Sequence, residues 1–406
     1  MSLPSHDPFL AGAPDEVAIA NRNTQCVVSG DATPAFSVFH RLTFTGSGKE
    51  YFRIWIVNLC LSVATLGIYS AWAKVRRLQY FDRNTMLAGA VFDFDGNPKA
   101  ILRGRVIALA LLAVYHYAFG FSVNVGLAVV GALLLSLPFM MRGALRFRLR
   151  NTRYRGLRFD FGGEVGGAYL CYVPAVLVFL LPGALSAIGA KGKDDYLALA
   201  GVLALLTMGL YLLWPLIHGF MKRYQHRHLR FGGAQADYTL PARRLYRPYL
   251  ISVAISAAGI MVGAILLSIF TDLFRHSQNA SVLQWLAPAL MALLGLYLFY
   301  LVMGPFLQVR VSNLAWSATT FPNVAIHSDL EARAMIKLQS MNVLLTLLTL
   351  GLYRPFGVVR LYQYRLAHIM IETRGDFEQV AAGASHPDGG AAHDSAADFL
   401  GLDLSW

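Results

Sequence analysis

Asn58 and Thr65 lie seven residues apart in NLCLSVATLGIYSAWAKVRRLQY (Asn58–Tyr80), and Asn342 and Thr349 repeat that spacing in NVLLTLLTLGLYRPFGVVRLYQY (Asn342–Tyr364). Thr-Leu-Gly, Tyr, Arg and Gln-x-Tyr recur in the same register, 284 residues on. Residues seven apart share one face of a helix. In an apolar medium an Asn side chain needs a partner, and interhelical hydrogen bonds there contribute ~0.6–2 kcal/mol. Two readings follow. In one, the copies pack symmetrically, with Asn58 near Asn342. In the other, Asn58, Thr65, Gly67 and Tyr69 line a polar path at mid-membrane with Asn342, Thr349, Gly351 and Tyr353, as broken helices in paired repeats do at transporter sites.

The remaining candidates carry less chemistry. Asp93 and Asp95 in FDFDGNP alternate on one strand face, and Asp160 sits in a related stretch. Paired carboxylates can do acid–base work, but two acids beside a glycine turn are usually surface residues. No GxSxG, HExxH or Walker loop occurs, so an enzyme is not expected. His226 and His228, two residues apart, share no helix face and have no acidic third ligand close by, so no metal site is expected. His116 and His218, alone in apolar runs, read as packed, hydrogen-bonded residues. Cys26, Cys60 and Cys171 are far apart and form no CxxC, which leaves neither a thiolate metal site nor a disulfide framework. No cofactor is expected. Arg76, Arg77, Arg146, Arg148, Arg150, Arg223 and Arg227 belong to a belt of cations and aromatics beside the apolar runs. Its plain role is to enforce orientation. Its functional role would be to hold anionic phospholipid head groups, each cation contributing ~1 kcal/mol. Nucleic acid fits poorly, because these clusters lie hard against membrane exits. The sequence names no protein partner.

The elements that must position these residues are membrane helices. Hydrophobic residues make up 56% of the 406 and charged residues only 14%, with a mean hydropathy of +0.49; soluble domains carry about 25% charged residues. Uncharged runs at Val106–Val123, Val125–Met141, Ala168–Ala190, Tyr196–Met221, Pro248–Phe270 and Ser281–Leu307 are near the ~20 residues that cross a bilayer as helix. None of the six contains Asp, Glu, Lys or Arg, which argues against a proton-driven pump. Loops 74–105, 142–167 and 222–247 each carry seven Lys or Arg, which places them in the cytoplasm. The net charge of +12 is concentrated in the centre; residues 376–406 hold six acids and no Lys or Arg. Residues 1–35 and 376–406 read as disordered tails around a membrane domain at 36–375, and the first tail lacks the pattern of a cleaved signal peptide.

The fold class is therefore mainly α, a polytopic helical transmembrane protein with six spans. The two repeated segments are either apolar hairpins entering from the cytoplasmic side or two further spans, eight at most. Hairpins are favoured, because the second copy has only 16 residues between Lys337 and Arg354. Their bends would lie at Thr-Leu-Gly, and both tails would then be cytoplasmic. RNTMLAGAVFDF (83–94) and RNTRYRGLRFDF (150–161) match each other, with weaker versions at RFGGAQADY (230–238) and TTFPNVAIHSDL (319–330). Arg-Asn-Thr suits a helix end and Phe-Asp-Phe a short strand, so a small cytoplasmic sheet is expected to cap the helices. Ala71-Trp72, Pro138-Phe139, Trp214-Pro215, Pro305-Phe306 and Pro355-Phe356 mark five exits from the membrane.

EYFRIWIVNLCLSVATLGIYSAWAKVRR followed by NTMLAGAVFDFDGNP closely resembles the YjgN-like bacterial inner-membrane proteins, a domain of unknown function (898). RNTRYRGLRF, HRHLRFGG and TLGLYRPFGVVRLYQYRLAHI extend the likeness over roughly 36–375. The resemblance implies a multi-spanning protein of the bacterial inner membrane and brings no catalytic residues with it. Its function would be that of a small-solute pore or carrier, or of a structural or lipid-binding organiser of the envelope.

Overall fold

The computed structural model describes residues 37–189, 196–275 and 283–374. The repeated segments are helical hairpins. α1 (Gly48–Ala64) and α2 (Ser70–Arg83) form the first, and α9 (Ala332–Leu348) and α10 (Arg354–Ala367) the second. Between them come α3 (Pro98–Phe121), α4 (Val123–Arg150), α5 (Val165–Gly189), α6 (Tyr196–Arg227), α7 (Tyr246–Arg275) and α8 (Leu283–Ser317), one for each apolar run. Among the described residues, five stretches are long and apolar enough to cross a membrane: Pro98–Ala118, Asn124–Arg150, Ala204–Arg227, Ala242–Ile269 and Pro288–Ser317. The sixth run lies in α5, whose described apolar part is Val165–Val178. The chain is a polytopic helical membrane protein with short strands.

The helices outrun the membrane exits, and the two that carry Arg-Asn-Thr end at that motif as expected. The five exit points do not end their helices. Past Ala71, Pro138, Pro215, Pro305 and Pro355 the helix continues for twelve residues, to Arg83, Arg150, Arg227, Ser317 and Ala367. Polar side chains with long apolar stems let a helix outrun the hydrocarbon. At Arg83 and Arg150 an Asn-Thr pair then stops it. Asn84 Nδ2 donates to the Tyr80 carbonyl and Asn151 Nδ2 to that of Phe147, each at 2.7 Å. Thr85 Oγ1 donates to the Phe81 carbonyl at 2.7 Å and Thr152 Oγ1 to that of Arg148 at 3.0 Å. The Asn side chains add a second bond to carbonyls that also accept the Asn backbone N–H at 3.3 Å, and the Thr hydroxyls occupy two further last-turn carbonyls.

A short strand starts two residues after each stop. β3 (Thr85–Leu87) turns into β4 (Ala90–Phe94), and β5 (Thr152–Tyr154) into β6 (Leu157–Phe161). Their two-residue loops, Ala88-Gly89 and Arg155-Gly156, have positive φ at both positions, the type I′ geometry that matches strand twist. β7 (Leu229–Phe231) with β8 (Ala234–Gln235), and β10 (Thr319–Phe321) with β11 (Val324–Ser328), supply two more hairpins, as the weaker motifs suggested. β12 (Ile369–Arg374) follows α10 and pairs with β1 (Ser37–Arg41).

Among the described residues, the unit is thus a helical hairpin followed by strands, and it occurs five times. Strand pairing runs β2 (Thr43–Phe44) through β8 in one sheet, and β9 (Asp237–Tyr238), β10, β11, β12, β1 in the other. Only Leu42 separates β1 from β2, and only Ala236 separates β8 from β9. The chain therefore links the two sheets end to end into a circuit, with β1, β9, β2 and β8 as their edge strands. The helices close as well. Each packs on its neighbour in chain order, α6 meets α7 largely through the 3₁₀ turn Ala242–Leu245, and α10 packs on α1. Among the described residues no extended interface joins helices on opposite sides of the circuit.

Small clusters knit neighbouring repeats where helices meet strands. Ala71 and Val75 of α2 pack with Phe94, Ile101 and Phe147. Phe161 packs with Ala168, Tyr172 and Tyr224, and Val309 of α8 with Leu330 and Met335. Phe94 and Phe161, the last residues of the two Phe-Asp-Phe strands, are each 1% exposed. A Cβ on Gly96 would lie 2.3 Å from Phe94 Cε1, and one on Gly163 would lie 2.5 Å from Phe161 Cε1, so both turns need glycine. The long helices instead expose their middles, with Leu109, Leu205, Ile260 and Leu296 all at least 65% open. Hydrocarbon is the solvent that makes this favourable.

Candidate functional site

The two end hairpins carry the residues singled out by spacing, and each hairpin folds them inward on itself. Thr65 caps the C-terminus of its helix. Its Oγ1 donates to the Leu61 carbonyl at 2.7 Å and accepts from the Tyr69 N–H at 2.9 Å. Thr349 does the same with the Leu345 carbonyl and the Tyr353 N–H, at the same two distances. The hydroxyls assigned to a polar face therefore brace the turns. Leu66 and Gly67 take φ of 50° and 91°, and Leu350 and Gly351 take 50° and 95°. Gly67 N–H reaches back to the Ser62 carbonyl and Leu66 N–H to that of Val63; Gly351 and Leu350 reach Thr346 and Leu347. This is the Schellman arrangement with leucine in the left-handed position. Every backbone N–H from Thr65 to Ser70, and from Thr349 to Arg354, finds an acceptor.

Asn58 is buried, 7% exposed. Asn342 is half-buried and donates from Nδ2 to the Gly357 carbonyl at 3.1 Å, inside its own hairpin. α10 lies against α1, with Phe356 stacked on Phe52 at 5.6 Å. Asn58 Oδ1, Asn342 Oδ1, Gln339 Oε1 and the hydroxyls of Tyr69 and Tyr353 are buried without a partner among the described residues. Arg76 lies over the Tyr69 ring at 5.8 Å and Arg360 over Tyr353 at 5.6 Å, a matched pair of cation–π contacts. Arg310 occupies the equivalent place in α8, over Phe306 at 5.8 Å.

The remaining arginines divide. Arg76, Arg223 and Arg227 are exposed; Arg77, Arg146, Arg148 and Arg150 are half-buried. Arg150 Nε lies 2.7 Å from Asp160 Oδ1, and Arg83 Nε lies 2.7 Å from Asp93 Oδ1, the same pair one repeat apart. Asp95 meets Arg153 at 2.7 Å. All three candidate carboxylates thus have cation partners. Asp82, which spacing did not flag, is pushed up to about 6, first by burial and then by the Asp93 charge, against the pull of Arg148. His116, expected to be packed, lies on an exposed face of α3.

Sequence reasoning missed a stripe on α6. His218, Lys222 and His226 recur every four residues, the spacing of one helix face. They line a cavity of about 160 Å³ between α6, α7 and α8. The reading of His226 with His228 as a pair hid this spacing. In the structure His226 turns to Thr319, Nδ1 to Oγ1 at 2.9 Å, while His228 meets the Tyr224 carbonyl, also at 2.9 Å.

Comparison with known proteins gives a family rather than an activity. An inner membrane protein YjgN of Salmonella typhimurium is 23% identical over 370 residues, 84% of this chain and 90% of the relative. Inner membrane proteins YjgN of Escherichia coli K12 and O157:H7 are 33% and 32% identical over 134 and 136 residues, about a third of each chain. No solved structure matches. With the matched repeats and apolar helices, these likenesses place the protein in the bacterial inner membrane as a YjgN-like protein of unknown function. Residues 39–399 match the family described as "Bacterial protein of unknown function (DUF898)", and the chain belongs to it.

Proposed function

We propose that this protein is a lipid-engaging organiser of the inner membrane, whose two end hairpins sit in the cytoplasmic leaflet and whose arginines hold anionic head groups. One observation carries the reading: the paired hairpins are short, and their apolar tips are open. α2 and α10 have 14 residues each, against 28, 32 and 35 for α4, α6 and α8. At 1.5 Å per residue the hairpin arms end roughly 20 Å or more below the long helices. Leu66 and Leu350 are each 95% exposed at the tips. Hydrocarbon accepts such a turn only when its backbone groups are bonded internally, and here the N–H groups are. Arg76, Arg310 and Arg360, stacked on aromatic rings and each five residues past Ala71, Pro305 and Pro355, fit head-group level. The ion-paired Asp93, Asp95 and Asp160 favour a non-catalytic role. Basic clusters tight against the membrane favour lipid phosphate over nucleic acid.

The test places a polarity-sensitive dye on Leu66→Cys or Leu350→Cys in protein with Cys26, Cys60 and Cys171 replaced by serine. In vesicles the emission shifts to the blue, iodide fails to quench it, and nitroxide-labelled lipid quenches it. Arg76→Gln with Arg360→Gln lowers the share of phosphatidylglycerol retained on purification. Iodide quenching at both tips, or an unchanged lipid share, overturns the reading. The closed circuits of helices and strands favour a second reading, passage of a small solute along the ring axis. Solute release from vesicles holding wild-type protein, with iodide-exposed tips, would select it.

A further inference from the structure

The cavity between α6, α7 and α8 belongs to neither hairpin. Its wall is made by His218, Lys222 and His226 of α6, Tyr249 of α7, and Gln308 and Ser312 of α8, with apolar residues between. Among the described residues that line it there is one fixed cation and no carboxylate. Buried cations are normally paired. Here no carboxylate among the described residues faces Lys222; the polar groups beside it are His218, His226, Tyr249, Ser312 and the Gln308 amide, and hydrogen-bond directions show how the histidines are set. Trp214 Nε1 donates to the Tyr249 hydroxyl at 3.1 Å, which leaves that hydroxyl proton for His218 Nδ1 at 2.8 Å. His218 is then protonated on Nε2 and presents an N–H. Thr319 gives its own proton to the Ala315 carbonyl at 2.8 Å, so His226 donates to it from Nδ1. Edge-to-face packing on Trp316 at 4.8 Å holds that ring in place.

The geometry points to a binding site in this cavity for one phosphate-type oxyanion, with Lys222 as the charge and His218 and Ser312 as hydrogen-bond donors. A water needs only about 10–15 Å³ of such space, so 160 Å³ admits a tetrahedral oxyanion with its hydration. The site lies on the last turns of α6, beside the basic stretch before β7, where both a phospholipid head group and free phosphate are at hand. It uses none of the hairpin residues, so this inference and the lipid-organiser reading can fail separately.

Two probes separate the sources. Inorganic phosphate is titrated into the full-length protein in detergent by calorimetry. Nanodiscs of phosphatidylcholine with and without phosphatidylglycerol are compared by phosphorus NMR for a slowly exchanging bound lipid. Binding of either probe, weakened about tenfold to a hundredfold in Lys222→Gln and less in Ser312→Ala, is the expected result. Binding of phosphate alone identifies a soluble ligand, and a bound lipid alone identifies a head group. Equal binding by wild type and both variants, or none by the wild type, overturns the site. Monodispersity in detergent checks folding, and Ser312→Ala keeps the test decisive if Lys222→Gln does not fold.

Discussion

Asp82 shows how one residue reports on its surroundings. Its carboxyl keeps a proton up to about pH 6, because burial penalises the charge and Asp93 adds repulsion. An unfolded aspartate loses its proton near 3.8. The folded state therefore binds this proton more tightly, and the contribution to stability is full below about pH 4 and lost as pH rises through 6. Asp82→Asn removes the penalty. Its melting temperature in detergent should exceed that of the wild type at pH 7.5, by an amount corresponding to on the order of 1–2 kcal/mol, and should match it near pH 4. At the same scale, Gly351 holds φ of 95° with open space where a side chain would begin. Gly351→Ala should therefore cost about 1 kcal/mol through backbone strain alone, read as a lower melting temperature.

The recurring element is the stop between helix and strand, where Arg-Asn-Thr and Phe-Asp-Phe meet. Arg83–Asp93 and Arg150–Asp160 have the same 2.7 Å geometry, yet water reaches them differently. The first pair is 59% and 46% exposed, the second 27% and 33%. Screening leaves exposed pairs with well under about 1 kcal/mol. A cycle of Arg83→Gln and Asp93→Asn should give a coupling of at most about 0.5 kcal/mol, and that of Arg150→Gln and Asp160→Asn about 1 kcal/mol, both read from denaturant midpoints. The sequence showed this element clearly, since Asn, Thr and paired glycine turns act locally. Arg-Asn-Thr marked the helix ends at Arg83 and Arg150, but those at Arg227 and Ser317, twelve residues past their prolines, carried no such motif. The arginines there look like loop residues until a neighbouring repeat covers their stems.

At the scale of the whole molecule, the described chain begins and ends in one antiparallel pair, with Val38 opposite Thr373. Cross-strand Cβ atoms lie about 4.5–5.5 Å apart, near the reach of a disulfide. Val38→Cys with Thr373→Cys should cross-link on mild oxidation, and protease-cut halves should then migrate together until reduced. Separate fragments would show that the ring does not close. Closure also explains the repeated segment. The first and last of the five described units flank the seam, and both are the short form.

Composition and pattern alone determined the solvent, the six helical runs and the strand motifs, and favoured hairpin bends at Thr-Leu-Gly over two further spans, because hydropathy and turn chemistry are local properties. Tertiary structure alone decided that the units close on themselves, that the Thr hydroxyls brace turns, and that Asp93, Asp95 and Asp160 meet arginines. It also decided that His218, Lys222 and His226 share a cavity with α8. Such contacts join residues far apart along the chain, and no local period encodes which distant surface a given face will meet.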